Sequence, residues 1–239
     1  MKKYLLLLTL MGSTNLLADT VFGVYAGAQA WYHDNSGSIT TPLNVIPLAS
    51  DIDSDNESSL SFYVAIEHGV PLIPNFKLKN SDINGQFINQ IDVCPPENPC
   101  NSPINLDLSH TDLTLYYELL DNWVNLDLGL SALYFNGNND FSNSVDFSEI
   151  NYSEIIPALY GKAEFEFPTT DFSASLTANV GTLTDKSAID LELAASYKFA
   201  LGFSIEAGLR KQTVDFEYSN RVKIDSTSTG AFAALKFHF

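Results

Sequence analysis

The sequence predicts an all-β protein, a transmembrane antiparallel up-and-down β-barrel of about ten strands. Apolar residues recur at every second position along most of the chain, with polar or small residues between them, and this is the pattern of β-strands. Charged residues stand in mid-strand on the polar face, and short connections alternate with long ones. Lipid outside, a polar lumen inside and tight turns at one end of a barrel produce such a pattern.

Composition agrees with this fold class and excludes two others. Apolar residues make up 45% of the chain and aromatic residues 12%, which is too much for a disordered protein. The formal net charge is −17, from 29 Asp and Glu against 12 Lys and Arg. A nucleic-acid-binding protein needs a basic surface for phosphate, so this charge balance argues against nucleic acid as a partner.

The first 18 residues are predicted to be a secretory signal peptide. Lys2 and Lys3 precede the apolar run Tyr4–Met11, and Ala18 offers a small residue at the expected cleavage site. An apolar run of this length is too short for a spanning helix, which needs about 20 residues. We therefore expect residues 19–239 to form one exported domain, the outer-membrane barrel. No Cys follows the cleavage site, so no lipid anchor is expected there.

The two cysteines lie close together in a proline-rich loop. Cys94 and Cys100 bound the segment CPPENPC, and an exported protein matures in an oxidising compartment. A disulfide between them is the simplest prediction. Without a nearby His they form a poor metal site.

Ten strands are predicted. They cover 20–33, 58–70, 75–90, 104–119, 122–136, 150–167, 171–182, 187–199, 202–218 and 228–239. An even number places both termini in the periplasm. Eight strands is the alternative, if the link over 181–187 is only a bend and another pair forms a hairpin outside the membrane.

One strand changes the phase of its alternation. In Ile104–Leu119, Leu106 and Leu108 occupy even positions, whereas Leu113 and Leu115 occupy odd positions. A β-bulge near His110, or a strand that rises above the bilayer, would explain the change.

The polar faces of the strands predict an ion-pair network in the lumen. A buried charge without a partner is costly, and a barrel near eight strands is just wide enough for side chains to fill it. The predicted network comprises Glu67, Lys77, Lys79, Glu118, Asp127, Lys162, Glu164, Glu166, Asp190, Glu192, Lys198, Glu206, Arg210 and Lys236. The alternative is a thin, cation-preferring conduit lined by the surplus acids.

The first long loop suggests a weak metal site. Asp51, Asp53, Asp55 and Glu57 alternate along it, and carboxylate oxygens are the ligands that Ca²⁺ and Mg²⁺ prefer. The pattern is not an EF-hand, because Asn56 replaces the turn Gly. Loose binding of Ca²⁺ or Mg²⁺ is one interpretation and a solvated acidic loop is the other. No other cofactor is expected.

The four histidines are the candidate residues for a catalytic role. His33 adjoins Asp34, and His110 lies near Asp112, so either could be a general base in a surface hydrolase or acyltransferase. No Ser in a nucleophile elbow accompanies them. His68 and His238 are expected to be interfacial or structural, and catalysis is not the expected function.

Two segments resemble known outer-membrane proteins. The ending GAFAALKFHF resembles the C-terminal strand that the barrel-assembly machinery recognises, with Leu235, Phe237 and Phe239 on one face. The segment EHGVPLIPNFKL is similar to the E-H-P-x-P-x-x-P-N stretch of a family of small outer-membrane β-barrels of gammaproteobacteria, with Gly69 in place of the first Pro. The resemblance implies the fold and the location, but no activity.

These observations predict a monomeric barrel with a lumen filled by its own side chains. Its role would be structural, or a surface interaction made through acidic extracellular loops. Its expected partners are outer-membrane lipid, lipopolysaccharide and, through the C-terminal strand, the assembly machinery. The alternatives are the narrow cation-preferring channel and the barrel-embedded surface enzyme.

Overall fold

The computed structural model describes residues 22–42, 47–90, 101–142, 147–183, 185–200, 202–218 and 222–239. The predicted signal peptide and the Cys94–Cys100 pair lie outside these residues. Within them the regular structure is β-strand. No helix among them is long and apolar enough to cross a membrane.

Twelve strand segments build the protein. They are β1 (Phe22–Pro42), β2 (Pro47–His68), β3 (Asn75–Asp82), β4 (Asn84–Gln90), β5 (Asn101–Asp107), β6 (His110–Leu120), β7 (Val124–Ser142), β8 (Phe147–Glu166), β9 (Phe172–Leu183), β10 (Lys186–Ala200), β11 (Phe203–Tyr218) and β12 (Val222–His238). Only Ile83 separates β3 from β4, and only Leu108 and Ser109 separate β5 from β6. Each of these pairs is therefore one interrupted barrel strand.

Ten antiparallel strands close into a ring. The order is β1–β2–β3–β6–β7–β8–β9–β10–β11–β12, and β12 pairs with β1 from Tyr25–His238 to Thr40–Lys223. The β4–β5 hairpin extends the β3–β6 pair, and β5 also pairs with β7. Closure removes the unpaired edges that an open sheet would present. The prediction of a ten-stranded antiparallel barrel is confirmed, and the alternative of eight strands is wrong.

The strands on one side of the barrel are longer than predicted. β1 continues nine residues past His33, and its ladder with β2 runs to the pair Pro42–Pro47. β7 and β8 likewise pair as far as Ser142–Phe147. The sequence analysis assigned these polar stretches to loops, whereas they are the outer arms of long hairpins. We call this side the long-hairpin end, and the opposite side, which carries Phe22 and Phe239, the short-turn end.

An apolar band surrounds the outside of the barrel. Its side chains occupy alternate positions and expose between 46% and 66% of their surface: Leu60, Phe62, Leu115, Leu128, Leu130, Leu159, Leu176, Leu193, Ile205, Leu209 and Leu235. Exposed aromatic residues border the band at the short-turn end: Phe22, Trp123, Phe167, Phe172, Phe199, Phe203 and Phe239. Tyr32 and Tyr134 border its other side. An apolar belt between two aromatic girdles is the outer surface that a bilayer requires.

The two faces of the sheet exchange character at the edge of this band. Towards the long-hairpin end, exposed outward positions become polar, as at Asp34, Asn136 and Lys211. The inward positions become apolar there and form an inner core that includes Ile39, Ile83, Leu106, Leu108, Phe135, Tyr152, Val214, Phe216 and Ile224. Where water replaces lipid outside, the interior has to supply the hydrophobic core.

This exchange explains the phase change predicted near His110. Leu106, Leu108, His110 and Asp112 are all buried, so even positions face inward on both sides of the interruption. The inward residues change from polar to apolar because the strand leaves the apolar band. The predicted rise above the bilayer fits this arrangement, whereas a bulge that moves the leucines to the outer face does not.

Two short turns place a non-glycine residue in the left-handed region. Leu72 has φ 68° and Thr169 has φ 67°, and each follows a Pro. Pro fixes φ near −65°, so each pair matches the central positions of a type II turn. In the second turn the N–H of Thr170 donates to the carbonyl of Phe167 at 3.2 Å. A β-branched residue is unfavourable at that φ.

Thr169→Gly should therefore stabilise the barrel. Glycine removes the steric cost of the left-handed conformation, partly offset by the larger entropy of the unfolded chain, for a net gain of about 0.5–1 kcal/mol. Denaturant titration in phospholipid vesicles measures the change. Thr170→Gly is the control and should lower stability, because the Thr170 hydroxyl donates to the carbonyl of Phe167 at 2.9 Å. Equal effects of the two substitutions would contradict this account.

Candidate functional site in the barrel interior

The interior is divided into an open chamber and a closed section. The chamber is a cavity of about 630 Å³ that reaches the short turns at Asp121, Asp171 and Gly202. Its wall also includes Gln29, Ser61 and Lys79, and these residues border the closed section. Polar side chains of nearly every barrel strand therefore meet in one space that opens at the short-turn end.

A layer of paired charges separates the chamber from the inner core. We define this Arg210 layer as Arg210, Asp190, Glu192, Lys79, Gln29 and Ser61. Arg210 Nε and one terminal nitrogen donate to the two oxygens of Asp190 at 3.0 and 2.9 Å. Lys79 Nζ donates to Glu192 Oε1 at 2.5 Å. Two acids and two bases balance each other, so the layer is neutral overall.

Arg210 is held from several sides. Its guanidinium also donates to Gln29 at 3.3 Å and to Ser61 at 3.4 Å. Its carbon Cζ lies 4.6 Å from the centre of the Trp31 ring, within the range of a cation–π contact. Only 1% of its surface is exposed. A charge buried so completely is tolerable only because it is paired and hydrogen-bonded.

His33 belongs to a buried hydrogen-bond chain above this layer. Its Nδ1 lies 3.0 Å from Asn35 Oδ1, and its Nε2 lies 2.8 Å from Ser59 Oγ. An amide oxygen only accepts, so Nδ1 carries the proton and Nε2 accepts from the Ser59 hydroxyl. Ser, His and Asn thus stand in the order of nucleophile, base and orienting group. All three are at most 4% exposed, so this arrangement lacks substrate access.

His110 occupies a similar buried position on β6. Its Nδ1 donates to the carbonyl of Leu108 at 2.9 Å, and its Nε2 lies 3.3 Å from the side-chain nitrogen of Gln212. The Asp112 carboxylate lies 3.6 Å from Nε2, beyond hydrogen-bond distance. The predicted proximity of His110 and Asp112 exists, but both residues are buried. The other two histidines lie at the short-turn end, where His238 stacks on Tyr25 and His68 accepts from the N–H of Val70.

The structure brings most residues of the predicted lumen network into pairs. Lys162 contacts Glu164 at 2.7 Å, and Lys236 contacts Glu206 at 2.6 Å. Lys198 contacts Glu166 at 2.6 Å at the open end of the chamber. The Arg210 layer accounts for Lys79, Asp190, Glu192 and Arg210 itself.

Four predicted members of the network have no ion pair among the described residues. Glu67 accepts a hydrogen bond from Tyr116 at 2.7 Å, and Glu118 accepts one from Asn75 at 3.4 Å. Asp127 forms neither a hydrogen bond nor an ion pair with the described part of the chain. The Lys77 ammonium lies over the rings of Tyr63 and Tyr160.

Several interior residues were not predicted from the sequence. Tyr25, Tyr63, Tyr116 and Tyr160 line the chamber, and Lys186 pairs with Glu154 nearer the long hairpins at 2.5 Å. The alternation contained a signal for the tyrosines, since Tyr63 has the parity of Ser61 and Glu67 on β2, and Tyr25 has that of Gln29 on β1. The predicted lumen network contained only charged residues, so it omitted aromatic residues on the polar face.

The weak metal site stays a prediction. Asp51 and Asp53 lie in β2, where they pair with Ser38 and Ser36, whereas Glu57 pairs with His33. A register shift between these pairs interrupts the alternation of the four acids. In the described ranges no group of three His, Cys, Asp or Glu side chains is placed to hold a metal ion.

Comparison with known proteins supports the class of fold. No protein-family model and no curated protein sequence matches the chain. Among solved structures, the outer membrane protease OmpT from Escherichia coli aligns with a TM-score of 0.58 at 12% identity, over 95% of this chain and all of that one. The chain has the fold of an outer-membrane β-barrel.

Two further barrels align less closely. The translocator domain of the autotransporter NalP from Neisseria meningitidis gives a TM-score of 0.44 at 13% identity, over 92% of this chain and 90% of that chain. Neisserial surface protein A gives 0.38 at 12% identity, over 90% and 97%. Identities this low show the fold alone and transfer no activity to this barrel.

Proposed function

We propose that this outer-membrane β-barrel is a non-conducting surface protein that acts through the section beyond the apolar band. The observation that carries the proposal is the closed interior. The Arg210 layer lies above the chamber, and beyond it Trp31, Phe135 and Phe216 are at most 1% exposed. In this section Phe216 contacts both Phe135 and Tyr152, which supports an interior filled by side chains.

The proposed orientation places the short-turn end in the periplasm. Ten strands bring both termini to that end, and bacterial barrels keep short turns there and long connections outside. The long hairpins would then project from the cell. Their outward positions are polar, so they suit contact with lipopolysaccharide or with a soluble partner in the medium, in a monomer. The resemblance of the EHGVPLIPN segment to small gammaproteobacterial barrels supports the same location.

The C-terminal strand is proposed as the assembly signal. Leu235 and Phe239 expose about half of their surface on the outer face. Phe239 also exchanges two backbone hydrogen bonds with Val24, at 3.0 and 2.9 Å, at the seam where the barrel closes. A terminal strand with an exposed aromatic face and a role in closure suits recognition by the assembly machinery.

We propose that neither His33 nor His110 is a catalytic base. A base must reach the proton that it abstracts from a substrate, and neither ring borders the chamber. His33 joins three strands through Asn35 and Ser59, and Ser228 donates a further hydrogen bond to Asn35 at 2.5 Å. Such a network satisfies buried polar atoms, which supports a structural role.

Planar-bilayer recording tests the proposal. The refolded barrel should give no discrete current steps in KCl solution, while heat-modifiable gel mobility shows that it is folded and inserted. A conducting porin recorded in the same bilayers is the control for insertion. Reproducible steps that shrink with Asp127→Asn or Glu192→Gln would overturn the proposal, because such currents require ions to pass the Arg210 layer.

A further inference from the structure

The chamber carries an excess of negative charge. Its wall includes nine carboxylate side chains and five lysines, and four of the five lysines form ion pairs. Five carboxylates form no ion pair among the described residues: Asp121 and Asp171 in the short turns, and Glu67, Glu118 and Asp127 on the strands. We call Glu67, Glu118 and Asp127, the three on the strands, the acid cluster.

Asp127 is the most informative member of this cluster. Only 6% of its surface is exposed, and it lines the chamber. It forms no hydrogen bond and no ion pair within the described part of the chain. A carboxylate so deeply buried normally has a partner. The structure thus leaves one strong acceptor directed into a cavity.

The strand register places Asp127 directly opposite another carboxylate. Asp127 on β7 pairs directly with Glu118 on β6 and, on its other side, with Lys162 on β8. The Lys162 ammonium forms its ion pair with Glu164 at 2.7 Å, so Asp127 shares this lysine with a carboxylate that lies closer to it. Like charges directly opposite each other on one face of a sheet repel. Lys162 is engaged by Glu164, so a second positive group beside Glu118 and Asp127 would convert their repulsion into attraction.

The remaining wall suits an ammonium group. Tyr25, Tyr63, Tyr116 and Tyr160 present aromatic rings to the same cavity. The Lys77 Nζ already lies 5.1 Å from the centre of the Tyr63 ring and 5.5 Å from that of Tyr160. Ring faces at such distances attract cations. One ammonium group, that of Lys77, therefore already lies over tyrosine rings in the chamber.

Size and ligand geometry favour an organic cation over a metal ion. The cavity of about 630 Å³ matches the pockets that hold small molecules. In the described residues no three acidic or His side chains converge as a metal site requires. We propose that the chamber binds a small organic cation with primary ammonium groups, such as a linear polyamine, at the acid cluster. Entry from the short-turn end does not require a conducting lumen.

Calorimetric titration of the detergent-refolded barrel with spermidine tests the proposal. We expect saturable binding at constant ionic strength. Asp127→Asn should weaken it about tenfold or more, since losing a charge-assisted hydrogen bond has an effect of that size. Glu166→Gln is the matched control, because that carboxylate already pairs with Lys198 at the open end of the chamber, and it should leave the affinity unchanged. Ethanolamine is the amine of a lipid headgroup. Tighter binding of spermidine than of ethanolamine would indicate a free polyamine as the ligand, and tighter binding of ethanolamine would indicate a lipid headgroup.

A second measurement separates lost binding from lost folding. Asn has nearly the shape of Asp and removes a repulsive charge, so the Asp127→Asn barrel should melt no lower than the wild type. Spermidine should raise the melting temperature of the wild type and not that of the variant. The proposal is overturned if spermidine does not bind, if the Asp127→Asn barrel binds it equally well, or if equal concentrations of Mg²⁺ abolish binding.

Discussion

Replacing Arg210 with Leu should lower the free energy of unfolding by about 3–5 kcal/mol, the effect of removing one partner of a buried ion pair. The guanidinium forms two hydrogen bonds with Asp190 and lies 3.4 Å from Glu192. Without it, two buried carboxylates share the single charge of Lys79. Denaturant titration in phospholipid vesicles, followed by tryptophan fluorescence and by gel mobility, measures the loss.

Two further variants isolate the buried charge as the cause. Lys198→Met removes an ion pair whose side chains are 61% and 39% exposed, and it should change stability by less than about 1 kcal/mol. The double variant Arg210→Leu with Asp190→Leu removes one charge of each sign and leaves the Lys79–Glu192 pair intact. It should be clearly more stable than Arg210→Leu alone. An Arg210→Leu barrel no less stable than the Lys198→Met barrel would refute the role assigned to the layer.

Leu130→Arg should lower the free energy of unfolding by about 2–4 kcal/mol, the cost of an Arg at the bilayer midplane on the lipid face of a barrel. Leu130 is 65% exposed on the outside of β7, with apolar outward neighbours on the same strand. The substitution fills no interior space, so any large cost has to arise from contact with hydrocarbon. The same titration measures it.

Asn136→Arg is the matched control on the same face of the same strand. Asn136 lies beyond Tyr134, where the apolar band ends. An Arg at this position meets water or lipid headgroups, so stability should change by less than about 1 kcal/mol. Equal costs at positions 130 and 136 would place the edge of the membrane elsewhere.

The fold could be predicted because a barrel wall between lipid and a polar lumen requires a sequence pattern that is visible within each strand. Each strand alternates with period two, and Leu126, Leu128 and Leu130 on β7 show it within five residues. The short connections at Pro71 and Pro168 contain their own turn residues. These signals need no knowledge of distant contacts, so the strand number and the inward charged residues within the apolar band followed from the sequence.

The long-hairpin section could not be predicted in the same way. Beyond Tyr32 and Tyr134 the outward positions become polar, so the contrast between the two faces weakens and then reverses. Polar strands such as residues 34–42 then resemble loops, although they pair with β12 as far as Thr40 and with β2 as far as Pro42. The apolar residues Leu106 and Leu108 were visible, but their inward direction depends on where the membrane ends.

The candidate site depended on contacts between distant strands. Which lysine meets which carboxylate is set by the curvature of the wall, as where Lys79 on β3 reaches Glu192 on β10. Alternation identifies both residues as inward without giving their partners. The unpaired state of Asp127 and the tyrosine wall of the chamber emerge only in three dimensions.

Spin-label accessibility along β7 tests the central claim most directly, in a barrel with Cys94→Ser and Cys100→Ser. Labels at Leu130 and Tyr134 should contact oxygen dissolved in lipid, whereas labels at Asn136 and Asn138 should contact a water-soluble nickel chelate. Labels at Leu133 and Phe135, on the inward face, should contact neither. Chelate contact at Leu133 and Phe135, equal to that at Asn136, would show an open, wet interior and contradict the closed barrel.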